Sequence, residues 1–408
     1  PDNAVASFRS LLRLLPGDTD ALDALEAIHL SRNDLEALEE VLRARADHSE
    51  DGQVVRTSLQ ELGKLYEEVL FDSEQAASTY RELLDIDPNN DAPLRDLERV
   101  LVVAGAHGRL SEAIEDLLPL MEQIDQQREW RLRIAGLYRN ELSEAHAAVD
   151  HLQMLVDESG VNRDEAITLL EAMFEAEEAL WSVGTILARV YEGRGDNERR
   201  ARALEACLRS APSREDKLSV VDDLLPLQEL KLGLPGQAFK SLSVRFHLDP
   251  DERETWSKLK SLAKASAKEG ELAELWRGAL ATPESPGHPT THEGVNHLRI
   301  TLASFVRTQF SEFEEPLDLL EAVLANAESP ADYPEVLNEL EALHSARQDP
   351  AALVRVLLAS SRAVLDSEAR REKVLDACTL LRTELARPED ALPHYHMLYG
   401  EDPNEPSV

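Results

Sequence analysis

His394 and His396 flank Tyr395, and His288, His292 and His297 lie close together in the chain. Imidazoles hold zinc when three or four ligands converge on one point. On a helix, His394 and His396 both turn away from the face that buries Tyr395. Pro289 breaks any i, i+4 pair between His288 and His292. Both groups therefore read as solvated surface, and no metal site is expected. Cys207 and Cys378 are too far apart in sequence for a CxxC knuckle and too few for a disulfide framework. Cys207 falls at a small inward position of its helix and reads as core. No glycine-rich phosphate loop, GxSxG elbow or HExxH pair occurs. Carboxylate pairs such as Glu177–Glu178 are what a heavily charged surface supplies anyway. The expectation is no catalytic residue, no cofactor and no enzyme. Trp130, Trp181, Trp256 and Trp276 recur at helical spacing with leucine, as core residues do.

One group of side chains stands against its background. Seven of the nine lysines fall between 217 and 268. Lys260, Lys264 and Lys268 repeat every fourth residue and read as one helical stripe, with Lys258 beside it. They are either a solvated face that balances local acid or a docking spot for an acidic segment of a partner. Lys258, Lys260, Lys264 and Lys268 are the candidate partner-binding residues.

The background is strongly acidic. The 408 residues carry 79 acids and 43 bases, a formal charge of −36. Such a surface repels phosphate backbones, so nucleic acid is not an expected partner. It attracts basic surfaces and speeds their association at low salt. Apolar residues make up 43%, enough to bury a core. No run of 18 apolar residues exists, so no membrane-spanning helix is expected. A cytoplasmic location is the corresponding expectation.

The elements that position these side chains repeat. The stretch LYEEVLFDSEQAASTYRELLDIDP at 65–88 reads as helix, turn, helix, stop. Its mark is a small residue, a large apolar one four later and a proline eight after that. Ala4-Phe8-Pro16, Ala76-Tyr80-Pro88, Ala238-Leu242-Pro250 and Ala391-Tyr395-Pro403 fit it. Ala148-Leu152-Gly160 and Pro316-Leu320-Glu328 are degraded copies. The preceding helix repeats too, through Leu65, Leu137, Leu227, Phe305 and Leu380. A second unit alternates with the first: Leu22-Leu25-Glu26-His29, Leu94-Leu97-Glu98-Leu101, Ile167-Leu170-Glu171-Phe174, Trp256-Leu259-Lys260-Ala263 and Leu337-Leu340-Glu341-His344. His29 and His344 thus share one packing position. A small residue beside a large one on one face lets two helices approach and fills the gap to the next pair. No single hairpin buries its apolar stripe, so neighbours must stack.

These residues resemble the tetratricopeptide repeat family. Leu62-Gly63-Lys64-Leu65-Tyr66 is similar to the family's first-helix pattern, and Gly108 to Ile114 to its turn into the second helix. Leu187 to Pro212 keeps the family's length without gaps. The resemblance implies an all-α, right-handed superhelical solenoid of about 22 helices, no strand and more than 70% helix. It also implies a non-catalytic scaffold or adaptor that binds partner proteins or peptides, the alternative being a peptide-sensing regulatory domain of a larger signalling or assembly protein. Many hairpins carry one extra residue in the turn. The alternate units place Glu26, Glu98, Lys260 and Glu341 where the family has glycine or alanine, so looser or rotated packing is expected there.

The copies begin at 4, 76, 148, 238, 316 and 391, and the third is longer than its neighbours by about one helix. The expected organisation is one array over 1–408. Its sub-blocks are 1–160, an irregular 161–214 with the extra helix, 215–281, a loop insertion at 282–293 (TPESPGHPTTHE) and 294–408. Residues 3–15 read as a second helix without its first, and EDPNEPSV follows another second helix. The expectation is a fragment of a longer array with contacts through uncapped ends.

Overall fold

Six helices in this chain start on a capping aspartate. Asp18, Asp34, Asp51, Asp72, Asp349 and Asp366 each accept a hydrogen bond from a backbone N–H of the first turn they precede. Such caps satisfy orphan donors and place negative charge at the positive helix end. Part of the acidic excess is therefore used to begin helices.

The computed structural model describes residues 2–158 and 160–401. Among them are 22 α-helices and no strand, with 82% of the chain helical. The chain divides into two compact units at 210/211. The first holds α1 (Asp2–Leu14), α2 (Thr19–Arg32), α3 (Leu35–His48), α4 (Gly52–Lys64), α5 (Ser73–Ile86), α6 (Asp91–Val103), α7 (His107–Leu117), α8 (Ile124–Asn140), α9 (Ala145–Asp157), α10 (Arg163–Glu175), α11 (Leu180–Arg194) and α12 (Asn197–Ser210). The second holds α13 (Arg214–Pro226), α14 (Pro235–Leu248), α15 (Arg253–Ser266), α16 (Glu269–Ala281), α17 (His292–Phe310), α18 (Glu314–Asn326), α19 (Pro334–Arg347), α20 (Pro350–Ala363), α21 (Ser367–Thr383) and α22 (Pro388–Glu401). Within each unit consecutive helices pack side by side, giving an all-α solenoid of hairpins. Four complete copies hold four helices each; the third, α9–α13, holds five. Pro403, the closing proline of the last copy, lies outside the described residues.

The turns explain the extra residue. Phe71, Ser143, Gly233, Ser311 and Ala386 occupy the same position in five copies, and all five have positive φ. Just before four of them the helix widens, while Ser311 N–H donates to Arg307 O at 3.2 Å as in an ordinary α-helix. Leu65–Leu70 and Leu227–Lys231 are π-helical. Leu142 N–H donates to Leu137 O at 3.2 Å and Glu144 N–H to Tyr138 O at 2.8 Å; Leu385 to Leu380 and Arg387 to Leu381 repeat the pair at 3.1 and 2.8 Å. One added residue is absorbed as a wide turn without orphaning a carbonyl. The alternate units close more tightly: Asp34 N–H donates to His29 O, Ala106 to Leu101, Lys268 to Ala263 and Asp349 to His344, at 2.8 to 3.1 Å. Their positive-φ residues are Asn33, Gly105, Ala267 and Gln348.

The small-large pairing sits in the core. Ala76, Tyr80, Ala148, Leu152, Ala238 and Leu242 are buried. Gly63 on α4 faces the Tyr80 ring, where an added Cβ would stand 2.6 Å from Cε1. Gly184 on α11 faces Cys207 Sγ at the same distance. Trp130, Trp256 and Trp276 are core residues, and Trp181 is half-buried.

Three of the four alternate-unit charges are paired. Glu26 pairs with Arg45 at 2.5 Å, Glu98 with Arg133 at 2.5 Å and Glu341 with Lys373 at 2.6 Å. Each carboxylate is largely covered and reaches a base on a neighbouring helix of its unit. The loop read as 282–293 ends at Thr291, whose hydroxyl caps α17 by accepting from Gly294 N–H at 2.9 Å. Gly287 and Pro289 within it are buried.

Candidate partner-binding surface

The lysine quartet is built on α15 and the start of α16. Lys258, Lys260 and Lys264 lie on α15; Lys268 lies beyond it, past the positive-φ Ala267, and the stripe stops at that turn. Lys258 Nζ is 3.2 Å from Glu229. Lys268 Nζ donates to both Glu271 oxygens at 2.7 and 2.6 Å and lies over the Phe239 ring. Lys260 is half-buried, with its ammonium 5.8 Å from the centroid of the Trp276 ring. Burial depresses its pKa, and no carboxylate offsets the burial. Lys264 is exposed, and no hydrogen bond or ion pair among the described residues holds it. Three of the four thus have contacts within the chain, and Lys264 extends freely.

Two other surfaces carry more shape. In the first unit, α5 and α7 flank a groove of about 600 Å³ whose floor includes Ala77, Leu97, Leu101 and Ala113. Its walls carry Glu74, Glu82, Asp85, Glu112 and Asp116 against Arg81 and Arg109. Both arginines are spoken for across the groove: Arg81 reaches Asp116 at 2.9 Å and Arg109 reaches Glu74 at 2.6 Å. The groove is apolar beneath and acidic at its rim. In the second unit α18 and α20 flank the equivalent groove, about 470 Å³. There Ala322, Ala325 and Ala359 stand where the first groove has Glu82, Asp85 and Asp116, so its lining is more apolar.

The extra-helix region makes a third concavity, about 290 Å³, between α10, α11 and α12. Arg199 lies over the Tyr191 ring and Arg202 over Phe174. Glu171 accepts from the Tyr191 hydroxyl at 2.9 Å and from Arg199 at 3.3 Å; Arg202 pairs with Glu175 at 3.0 Å. Burial and that carboxylate push the Tyr191 phenol up to about 12. The sequence marked this region as irregular, with an extra helix, but named no binding residue in it. The available signal was charge: residues 189–214 hold seven arginines against four acids in a chain of opposite sign.

Tyrosine-carboxylate contacts recur. Tyr66 donates to Glu39 at 2.6 Å, Tyr80 to Glu67 at 2.8 Å and Tyr138 to Glu115 at 3.1 Å. Arg99 grips Glu67 with two bonds of 2.6 and 2.8 Å and holds its carboxyl below the usual range. His29, His151 and His344 are buried, each within 3.4 Å of one carboxylate: Asp34, Glu115 and Glu321. Among the described residues no three His, Cys, Asp or Glu converge as a metal site would require, and no helix is long and apolar enough to cross a membrane.

No family model and no curated protein matches this sequence. Among solved structures, one of Naa15/Naa10 bound to HypK-THB is 15% identical, with a TM-score of 0.27. The match covers 96% of this chain, which spans only 64% of the length of that one. A tetratricopeptide repeat protein from Parabacteroides merdae is 12% identical with a TM-score of 0.25, covering 78% of this chain and 97% of the other. Likeness this slight says nothing of partner or activity.

Proposed function

We propose that this chain is a non-catalytic scaffold that binds partner proteins or peptides on the surface of its stacked hairpins, as tetratricopeptide arrays do. The observation that carries the reading is the groove between α5 and α7. It offers an apolar floor and an acidic rim, and two solvent-exposed ion pairs cross it. Its charge agrees with the whole chain's −36, and the partner that fits is basic on the contacting face. The lysines of α15 are a weaker candidate, since Lys258 and Lys268 are already paired.

The test is capture of partners by the purified chain from its native host, followed by reconstitution with each purified candidate. The expected result is a partner that binds stoichiometrically and associates faster at low salt. Reversing Glu82, Asp85 and Glu112 to lysine should weaken it about tenfold or more. Failure of every captured protein to rebind in purified form overturns the reading. A reconstituted partner indifferent to those reversals moves its binding face elsewhere.

A further inference from the structure

A half-buried guanidinium needs a counter-charge, and this acidic chain supplies one for several of them. Arg45, Arg128, Arg139 and Arg245 have carboxylates at 2.5, 3.2, 2.8 and 2.7 Å. Arg299, midway along α17, has none. It is half-buried, and its one hydrogen bond among the described residues is a long one, from Nη1 to Asn296 Oδ1 at 3.5 Å. Burial lowers its pKa with no carboxylate near enough to oppose the effect.

The surroundings orient it. Asn296 is one turn earlier on α17 and only 4% exposed. Its Nδ2 donates to the Tyr333 hydroxyl at 3.1 Å, so its Oδ1 faces Arg299. Tyr333 precedes α19 and receives that bond through oxygen, which leaves its own O–H free to donate. A fixed amide thus joins a guanidinium and a phenol, both with donors to spare. The nearest acid on the same helix turn as Asn296, Glu293, is engaged by Arg253 at 2.9 Å and His297 at 3.3 Å.

We propose that Arg299, Asn296 and Tyr333 form a receiving site for one carboxylate side chain of a bound partner. It rests on the reading of the chain as a protein-binding scaffold and names the chemistry of one contact. A single cation with a neutral phenol suits a monoanion. A phosphate dianion would meet one base, with Asp332 and Glu335 flanking Tyr333. The same net charge of −36 disfavours an acid-rich segment, so the occupant is an isolated Asp or Glu within a neutral or basic stretch.

The test uses the full chain and an end-blocked peptide of glycine and lysine carrying one central glutamate, with a glutamine twin. NMR reads the Arg299 Nε–H and Asn296 amide signals. Saturable shifts with the glutamate peptide and at least tenfold weaker ones with glutamine are expected. Arg299→Gln should abolish them, Arg299→Lys should retain part of the affinity, and Tyr333→Phe should weaken binding severalfold, all with unchanged helical circular dichroism. Equal shifts from both peptides, an unaffected Arg299→Gln variant, or tighter binding of inorganic phosphate at the same signals would overturn the site. A captured partner that binds without touching these signals would overturn it too, while leaving the scaffold reading intact.

Discussion

Gly63 is set by one contact. A methyl there would stand 2.6 Å from the buried Tyr80 ring, and neither helix has slack. Gly63→Ala gains helix propensity yet should still lose about 1–3 kcal/mol through overpacking, read by urea denaturation. Phe71 is the opposite case. It is 80% exposed and sits at φ 54°, so it bears the left-handed strain and buries little in return. Phe71→Gly should raise stability by about 1 kcal/mol in the same assay; a loss would mean that the ring packs in solution. Cys207 shows burial acting on chemistry. Desolvation raises its thiol from 9.0 to about 12. A raised folded-state pKa leaves this contribution whole below pH 9 and removes it as pH climbs towards 12. At neutral pH the native chain should leave Cys207 unalkylated, and unfolding should expose it to iodoacetamide at the rate of a free thiol.

Helices in this chain are joined by turns and by ion pairs, and the two differ in strength. The turns recur at the same position in five copies with only one glycine among them, Gly233, so context and not residue type holds the left-handed conformation. The ion pairs are short yet partly wet, as at Glu98–Arg133 with both side chains about a third to a quarter exposed. A double-mutant cycle on that pair should give a coupling of about 0.2–1 kcal/mol that shrinks with salt. A larger, salt-independent value would mean that the pair is drier than its exposure indicates.

For the chain as a whole, the excess of 36 negative charges opposes folding at long range, while the ion pairs favour it at contact distance. Salt screens the first more than the second, since the Debye length at about 0.15 M is roughly 8 Å. The melting temperature should therefore rise between about 10 mM and 150 mM sodium chloride. A fall would show that the contact pairs dominate.

The sequence by itself determined the helices and their pairing. Apolar spacing of three and four residues recurs in every copy, and the small-large mark with its proline in four of six, because hairpin packing is local and repeats its own contacts. It also marked the third copy as one helix too long. The tertiary structure alone decided what the charges do. Glu26, Glu98 and Glu341 stood only as departures from the family's small residues until their bases, on other helices, came into place. Lys260, Lys264 and Lys268 looked like a single stripe until the turn at Ala267 cut it and Glu271 took Lys268, while Glu229 holds Lys258 beside it. Arg299 drew no notice in the sequence, because an arginine without an acid is visible only when all its neighbours are in place. Backbone periodicity is written within a few turns of chain. A charge pair depends on which helix comes to lie beside which, and the spacing of residues along one helix does not encode that.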